Sequence, residues 1–133
     1  MASIFSRIVA GEIPCHKVAE NDQFLAFLDI NPLVEGHTLV IPKKETDYLF
    51  DLDDDELGPM ILFSKKVAAA IKSNVDCIRI GLTVIGLEVP HAHIHLIPIN
   101  SMDDMNFSRP KLRMSSEEFK AIAARIKMTF DRS

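Results

Sequence analysis

His91-Ala92-His93-Ile94-His95-Leu96-Ile97-Pro98-Ile99 holds three of the chain's five histidines, each two residues from the next. Ala92, Ile94 and Leu96 alternate with the imidazoles, and alternation over a short apolar run predicts a strand with two different faces. One face is apolar and suits a core. The other carries three rings roughly 6–7 Å apart, at about 3.3 Å rise per residue. Three half-polar rings in register require something polar to meet them. They suit a borderline metal such as zinc, since neutral histidine is a common ligand. They equally suit an anion such as phosphate, with one ring attacking and the others donating hydrogen bonds. A solvated strand face rich in histidine is the bland alternative, and the regular spacing between apolar flanks argues against it. A single His-x-His-x-His supplies at most three nitrogens from one strand, so phosphate chemistry leads.

The rest of the composition sets limits on partners. The chain has 133 residues, 47% hydrophobic and 26% charged, ordinary values for one globular domain with a sizeable core. A net charge of −4 argues against a dedicated nucleic-acid surface but not against a nucleotide in a local pocket. The start, Met1-Ala2-Ser3-Ile4-Phe5-Ser6-Arg7, has no basic segment leading into an apolar run, so no secretory signal is expected. No apolar stretch approaches the ~20 residues of a membrane-spanning helix. Cys15 and Cys77 belong to no pairing motif, which suits a reducing compartment, and the expected location is cytoplasmic.

Periodicity predicts the elements around the histidine strand. Ile4, Phe5, Ile8 and Val9 mark a short helix over residues 4–10, with Ser3 as N-cap and Gly11 as stop. Residues 15–20, 24–30 and 37–42 read as strands, separated by turn residues. Leu52, Asp53, Glu56 and Leu57 form a capping box and hydrophobic staple, followed by a stripe of Leu57, Met60, Ile61, Ser64, Val67, Ala68 and Ile71. Pro59 should kink that helix, which places its true start nearer Gly58. A strand over Cys77–Val84 and a turn at Gly86 lead into the histidine run. Residues 101–106 read as loop, and Ser115 with Glu118 opens a last helix with the stripe Phe119, Ile122, Ala123, Ile126 and Phe130. The sum is α+β: a five-stranded, mostly antiparallel sheet, two main helices on one side and a short N-terminal helix. Residues 1–133 form one domain without repeats.

Several motifs stand in a shared order: Ile4-Phe5-Ser6-Arg7-Ile8, Gly11-Glu12-Ile13-Pro14, Phe27-Leu28-Asp29-Ile30-Asn31-Pro32, Gly36-His37-Thr38-Leu39-Val40-Ile41-Pro42-Lys43, and His91 to Pro98. Through them the chain resembles the histidine triad (HIT) family, nearest its Hint-like branch of nucleotide-binding proteins, over roughly residues 3–99. The resemblance implies a hydrolase or transferase acting at the α-phosphate of purine nucleoside phosphoramidates or acyl nucleotides, without metal or other cofactor. His93 is then the nucleophile that forms a nucleotidyl-histidine intermediate, His91 orients it, and His95 and His37 donate to phosphate oxygens. Asp29 takes the ribose hydroxyls, with Ile30, Phe5 and Ile8 beside the nucleoside and Gly86, Glu88 and Val89 near the phosphate. From the residues alone, Asp29 also reads as a turn aspartate accepting backbone N–H groups, and Phe5 and Ile8 as core.

The departures from the family pattern bear on substrate. Ile80-Gly81-Leu82 stands where relatives often have Asn-x-Gly, and Gly86-Leu87 where many have Gly-Gln, so two amide donors are expected to be missing. Glu88 replaces a frequent serine, and there is no tryptophan. Ser3 and Ser6 occupy positions where some bacterial relatives carry Cys-x-x-Cys of a zinc site; serine is a poor zinc ligand, and no structural zinc is expected. The resemblance also implies a homodimer burying Val67–Ile71 and part of Cys77–Val84. Alternatives are a nucleotide-binding regulatory protein with weak catalysis and a dinucleoside polyphosphate hydrolase.

Overall fold

A computed structural model describes residues 2–133. Five strands form one antiparallel sheet in the order β1-β2-β3-β5-β4: β1 (Lys17–Glu20), β2 (Phe24–Leu28), β3 (Thr38–Pro42), β4 (Arg79–Thr83) and β5 (Ile94–Ile99). Three α-helices complete it: α1 (Ile4–Val9), α2 (Asp54–Asn74) and α3 (Ser116–Arg132). The α+β architecture expected from the sequence is the one found, with every strand pair antiparallel.

Alternation along the strands separates two cores. Val18, Phe24, Ala26, Leu28, Val40, Ile94 and Leu96 face α2 and α3 and form the larger one. Leu25, Phe27, Leu39 and Ile41 face the opposite way, where Phe5 of α1 closes a smaller cluster. His95 lies opposite Leu39 in the ladder, so the sheet's own period sends it toward the smaller, α1 side. α3 buries Phe119, Ile122, Ala123, Ile126 and Phe130, the stripe read from sequence, behind a Ser115–Glu118 capping box. Each Phe or Ile of that stripe stabilises the fold by about 1.5–3 kcal/mol when fully buried.

Some local expectations fail for identifiable reasons. The histidine strand does not run from His91: pairing starts at Ile94. Pro42 has no amide hydrogen, its carbonyl accepts from the His91 ring, and Ala92 donates to Thr46 rather than to a strand. α2 begins at Asp54, not near Gly58, and carries Pro59 inside it. Asp54, Asp55 and Glu56 in its first turn suit the positive end of the helix dipole. The Asp53 side chain makes no cap bond, and Glu56 lies 3.8 Å from Lys44, so the expected box is not formed. Within the expected segment Val67–Ile71, Val67, Ala70 and Ile71 are buried inside this chain, whereas Ala68 is half-buried and Ala69 exposed; the large exposed apolar side chains of α2 are Ile61 and Leu62. Residues read as loop include a 3-10 turn, Met102–Met105, boxed by Ser101 and Asp104.

Gly36, at φ +90°, turns the chain into β3. A Cβ there would sit 2.9 Å from Val75 and 3.2 Å from Pro98, so position 36 needs both the backbone freedom and the missing side chain of glycine. This turn delivers His37.

Candidate active site

A cavity of about 500 Å³ opens on the α1 side of the sheet. Phe5 and Ile8 wall it from α1, Asp29 and Ile30 from the end of β2, and Gly86, Glu88 and Val89 from the loop before the histidines. His93 and His95 lie at its base. Of the expected site residues, only His91 and His37 stay out of the lining, and both sit directly behind it.

His91 is fully buried. Its Nε2–H donates to the Pro42 carbonyl at 2.8 Å. A carbonyl only accepts, so Nε2 carries the proton and Nδ1 accepts from the Ser3 hydroxyl at 2.7 Å. Burial holds the ring's pKa below its ordinary value. Ser3 caps α1 by accepting from the Ser6 amide, and the exposed Glu45 carboxylate accepts from the Ser3 amide and the Ser6 hydroxyl. Those bonds, the Ser3 amide first, pull Glu45 down to about 2. The Ser3, Ser6, Glu45 and His91 set is thus a closed hydrogen-bond network whose hydroxyls are poorly suited to zinc.

The His91 carbonyl accepts from His93 Nδ1 at 2.8 Å. That bond fixes the proton on Nδ1 and leaves Nε2 with a free lone pair. Phe5 meets the ring edge-on, centroids 5.1 Å apart. Next to it, the Leu33 amide donates to His37 Nδ1 at 3.0 Å, so His37 holds its proton on Nε2. That proton is donated to His95 Nδ1 at 2.9 Å, which leaves Nε2–H as the free donor of His95. Among the described residues no buried side-chain nitrogen or oxygen lacks a partner; the free Nε2 atoms of His93 and His95 are therefore reachable from the cavity. A lone pair and an N–H stand side by side, on rings whose centroids are 5.0 Å apart. That pairing suits attack on, and stabilisation of, one phosphoryl group.

His37 differs from its expected role. Both of its nitrogens are spent inside the protein, so it sets the tautomer of His95 rather than touching phosphate. Burial pushes His37 down to about 3 and His95 down to about 4, so both rings are neutral near pH 7. The 3.6 Å approach of Asp29 Oδ2 to His37 is accordingly no ion pair. Asp29 Oδ1 accepts from the Asn31 amide, the turn role, while burial raises the carboxyl's pKa. The turn role is thus formed, and the same side chain also lines the cavity. Among the described residues, Asp29, His37 and His95 bring donor atoms within 4.8 Å of one another. Metal on His37 Nε2 would need the proton on Nδ1, against the Leu33 N–H, so that trio does not suit a metal.

Ile80 packs against the larger core and does not line the cavity, so its difference from the family pattern removes no phosphate donor there. Leu87 does line it, 89% exposed. Sequence reasoning missed Phe107 and Lys111, which close the cavity's far side. Phe107 lies 5.0 Å from His95 and 6.2 Å from His37, edge-on to both. Its one available signal is a lone aromatic in a polar stretch.

The HIT domain family model matches residues 10–102 of the chain. An uncharacterized HIT-like protein of Borreliella burgdorferi is 40% identical over 133 residues, covering 94% of this chain and 96% of the relative. The adenosine 5'-monophosphoramidase of Schizosaccharomyces pombe is 38% identical, over 95% of this chain and 96% of that enzyme. A crystal structure of a HIT-like protein from Bartonella henselae superposes with a TM-score of 0.81 at 32% identity, covering 96% of this chain and 95% of the other.

Proposed function

The chain belongs to the HIT domain family, and from that premise we propose that it is a nucleotide-binding hydrolase. Its substrates are purine nucleoside phosphoramidates or acyl nucleotides, cleaved at the α-phosphate. The observation that carries this reading is the tautomer pair at the cavity floor: His93 Nε2 with a free lone pair beside His95 Nε2–H. In the first step His93 Nε2 bonds to phosphorus as the P–N or P–O bond to the leaving group breaks. The departing nitrogen takes a proton from solvent water and leaves as an amine, while an acyl oxygen leaves as carboxylate. His93 then carries positive charge, which the His91 carbonyl stabilises through Nδ1–H. Water next attacks phosphorus, its proton passes to solvent, the N–P bond breaks, and the nucleoside monophosphate leaves with neutral His93 restored. His95 donates to the phosphoryl oxygens throughout. The phosphoramidase relative in Schizosaccharomyces pombe supports this substrate class. Asp29 binds the ribose hydroxyls, Phe5, Ile8 and Ile30 the base, and Gly86 and Val89 the phosphate end. Exposed Glu88 then meets the leaving group and favours an amine over an anion.

The protein works as a cytoplasmic homodimer in this reading. Support for the location is two free cysteines among the described residues. Support for the dimer is the β4 edge strand with Ile78 and Leu82 exposed, and Tyr48, Phe50, Ile61 and Leu62 exposed elsewhere on the surface. A monomeric mass by light scattering would remove that part. The chemical part is tested with adenosine phosphoramidate. His93→Ala is expected to lose all measurable turnover while keeping its circular dichroism spectrum and its AMP affinity; turnover equal to wild type would refute the assignment.

A further inference from the structure

Beyond β5 the chain runs across the cavity's far side as a strap, residues 102–112, and one side chain ties that strap to both of its supports. Arg109 Nη2 donates to the Leu33 carbonyl at 2.9 Å. Arg109 Nη1 donates to Asp103 Oδ2 at 3.0 Å and to Asp104 Oδ1 at 3.3 Å. Asp104 in turn accepts from the Asn100 and Ser101 amides where β5 ends. The planar guanidinium therefore bridges the exit of β5 to the loop before β3, a span its fixed fork of donors suits. A second tie, Leu112 amide to Pro32 carbonyl at 2.8 Å, closes the strap's far end.

Leu33 is the point of interest, because its two backbone groups face opposite tasks. Its carbonyl is held by Arg109, and its amide donates to His37 Nδ1. Four donors then run in one direction: Arg109 to Leu33, Leu33 to His37, His37 to His95, and His95 Nε2–H to the cavity. The geometry points to Arg109 as a positioning residue, which fixes the orientation of the His37–His95 pair through Leu33 and clamps Phe107 over both rings. This role rests on the reading of His95 as the phosphate donor, and it adds a residue outside the triad on which that donor depends. Arg109 does not line the cavity and touches no substrate.

Loosening the strap has a consequence that lost stability alone does not. His95 is held down to about 4 first by burial and then by His93, and Phe107 supplies part of that burial. The groups facing His95 are His93 ahead of its own strand, His37 just before β3, Asp29 after β2, Lys111 on the strap and Glu88 across the cavity. Freeing the strap uncovers the ring and hydrates it. Hydration favours protonated His95, so its titration moves upward toward the ordinary 6.5.

The test is histidine-ring NMR titration of wild type, Arg109→Ala and Arg109→Lys, with His95 assigned by its own substitution. Turnover of adenosine phosphoramidate and AMP binding are measured on the same samples. The expected result is an upward shift of the His95 midpoint in Arg109→Ala. kcat falls roughly tenfold or more while AMP affinity changes little. Arg109→Lys keeps the charge without the fork and gives a smaller shift in the same direction. Should Arg109→Ala fail to fold, Arg109→Lys decides the matter by the same midpoint. An unchanged midpoint, with kcat per folded molecule at the wild-type value, overturns the role and leaves Arg109 a structural tie. Failure of the wild type to turn over any phosphoramidate would instead strike the proposed reaction, and the midpoint would still report on Arg109.

Discussion

His91 uses each of its four polar atoms: amide to Val89, carbonyl from His93, Nδ1 from Ser3, and Nε2 to Pro42. It lies outside the cavity lining, yet its carbonyl holds the proton on His93 Nδ1 and leaves Nε2 free. The Pro42 carbonyl holds the proton on Nε2, and the Ser3 hydroxyl donates to Nδ1 at 2.7 Å with the Ser6 hydroxyl farther off at 3.4 Å. Ser3→Ala removes the nearer donor to a buried acceptor, which costs about 1–3 kcal/mol, and loosens the hold on the ring and on the backbone that carries the His91 carbonyl. Thermal unfolding should drop accordingly, and kcat should fall roughly tenfold with KM little changed. Ser3→Thr, which keeps the hydroxyl, should restore both. A Ser3→Ala protein with wild-type kcat would show that His93 is oriented without Ser3. None of this was visible in the alternation of histidines, because the partners that assign the tautomers come from residues 3, 33 and 42, far from the run itself.

At the level of elements, the sequence was readable where one side chain period meets one packed face. α3 is the clearest case: its stripe at residues 119, 122, 123, 126 and 130 is buried as spaced. α2 was less readable, since Phe63 and Ala70 also turn inward while Ile61 stays exposed. β5 was readable in kind but not in extent, because the contacts of His91 and Ala92 with Pro42 and Thr46 replace ladder bonds. The strap was not readable at all: it has no period, and its meaning lies in where Phe107 and Arg109 land. The turn before β3 makes a separate prediction. Gly36→Ala must adopt a positive φ and crowd Val75 and Pro98, a combined cost of about 2–3 kcal/mol. Denaturant unfolding should show that loss. A change within experimental error would mean the turn relaxes freely and does not fix His37.

For the whole molecule, the neutral histidine pair makes stability depend on acid. His37 and His95 titrate at about 3 and about 4 in the folded protein, below their ordinary 6.5. Between those values the unfolded chain binds protons that the folded chain refuses. Their contribution is therefore whole above 6.5 and is lost as pH falls toward 4 and 3, by up to about 1.4 kcal/mol per pH unit for each ring. Asp29, raised by burial, acts in the opposite sense and offsets part of the loss. The urea midpoint should fall between about pH 7 and pH 4.5, and fall less in His95→Asn; a flat midpoint would mean that the pair is not neutral at the cavity floor. No described helix is long and apolar enough to cross a membrane. The most direct test of the proposed chemistry is the intact mass of wild type and of His95→Gln, quenched during reaction with adenosine phosphoramidate. One AMP added to the protein and mapped to His93 is the predicted result. Measurable AMP binding with neither an adduct nor released AMP would contradict it.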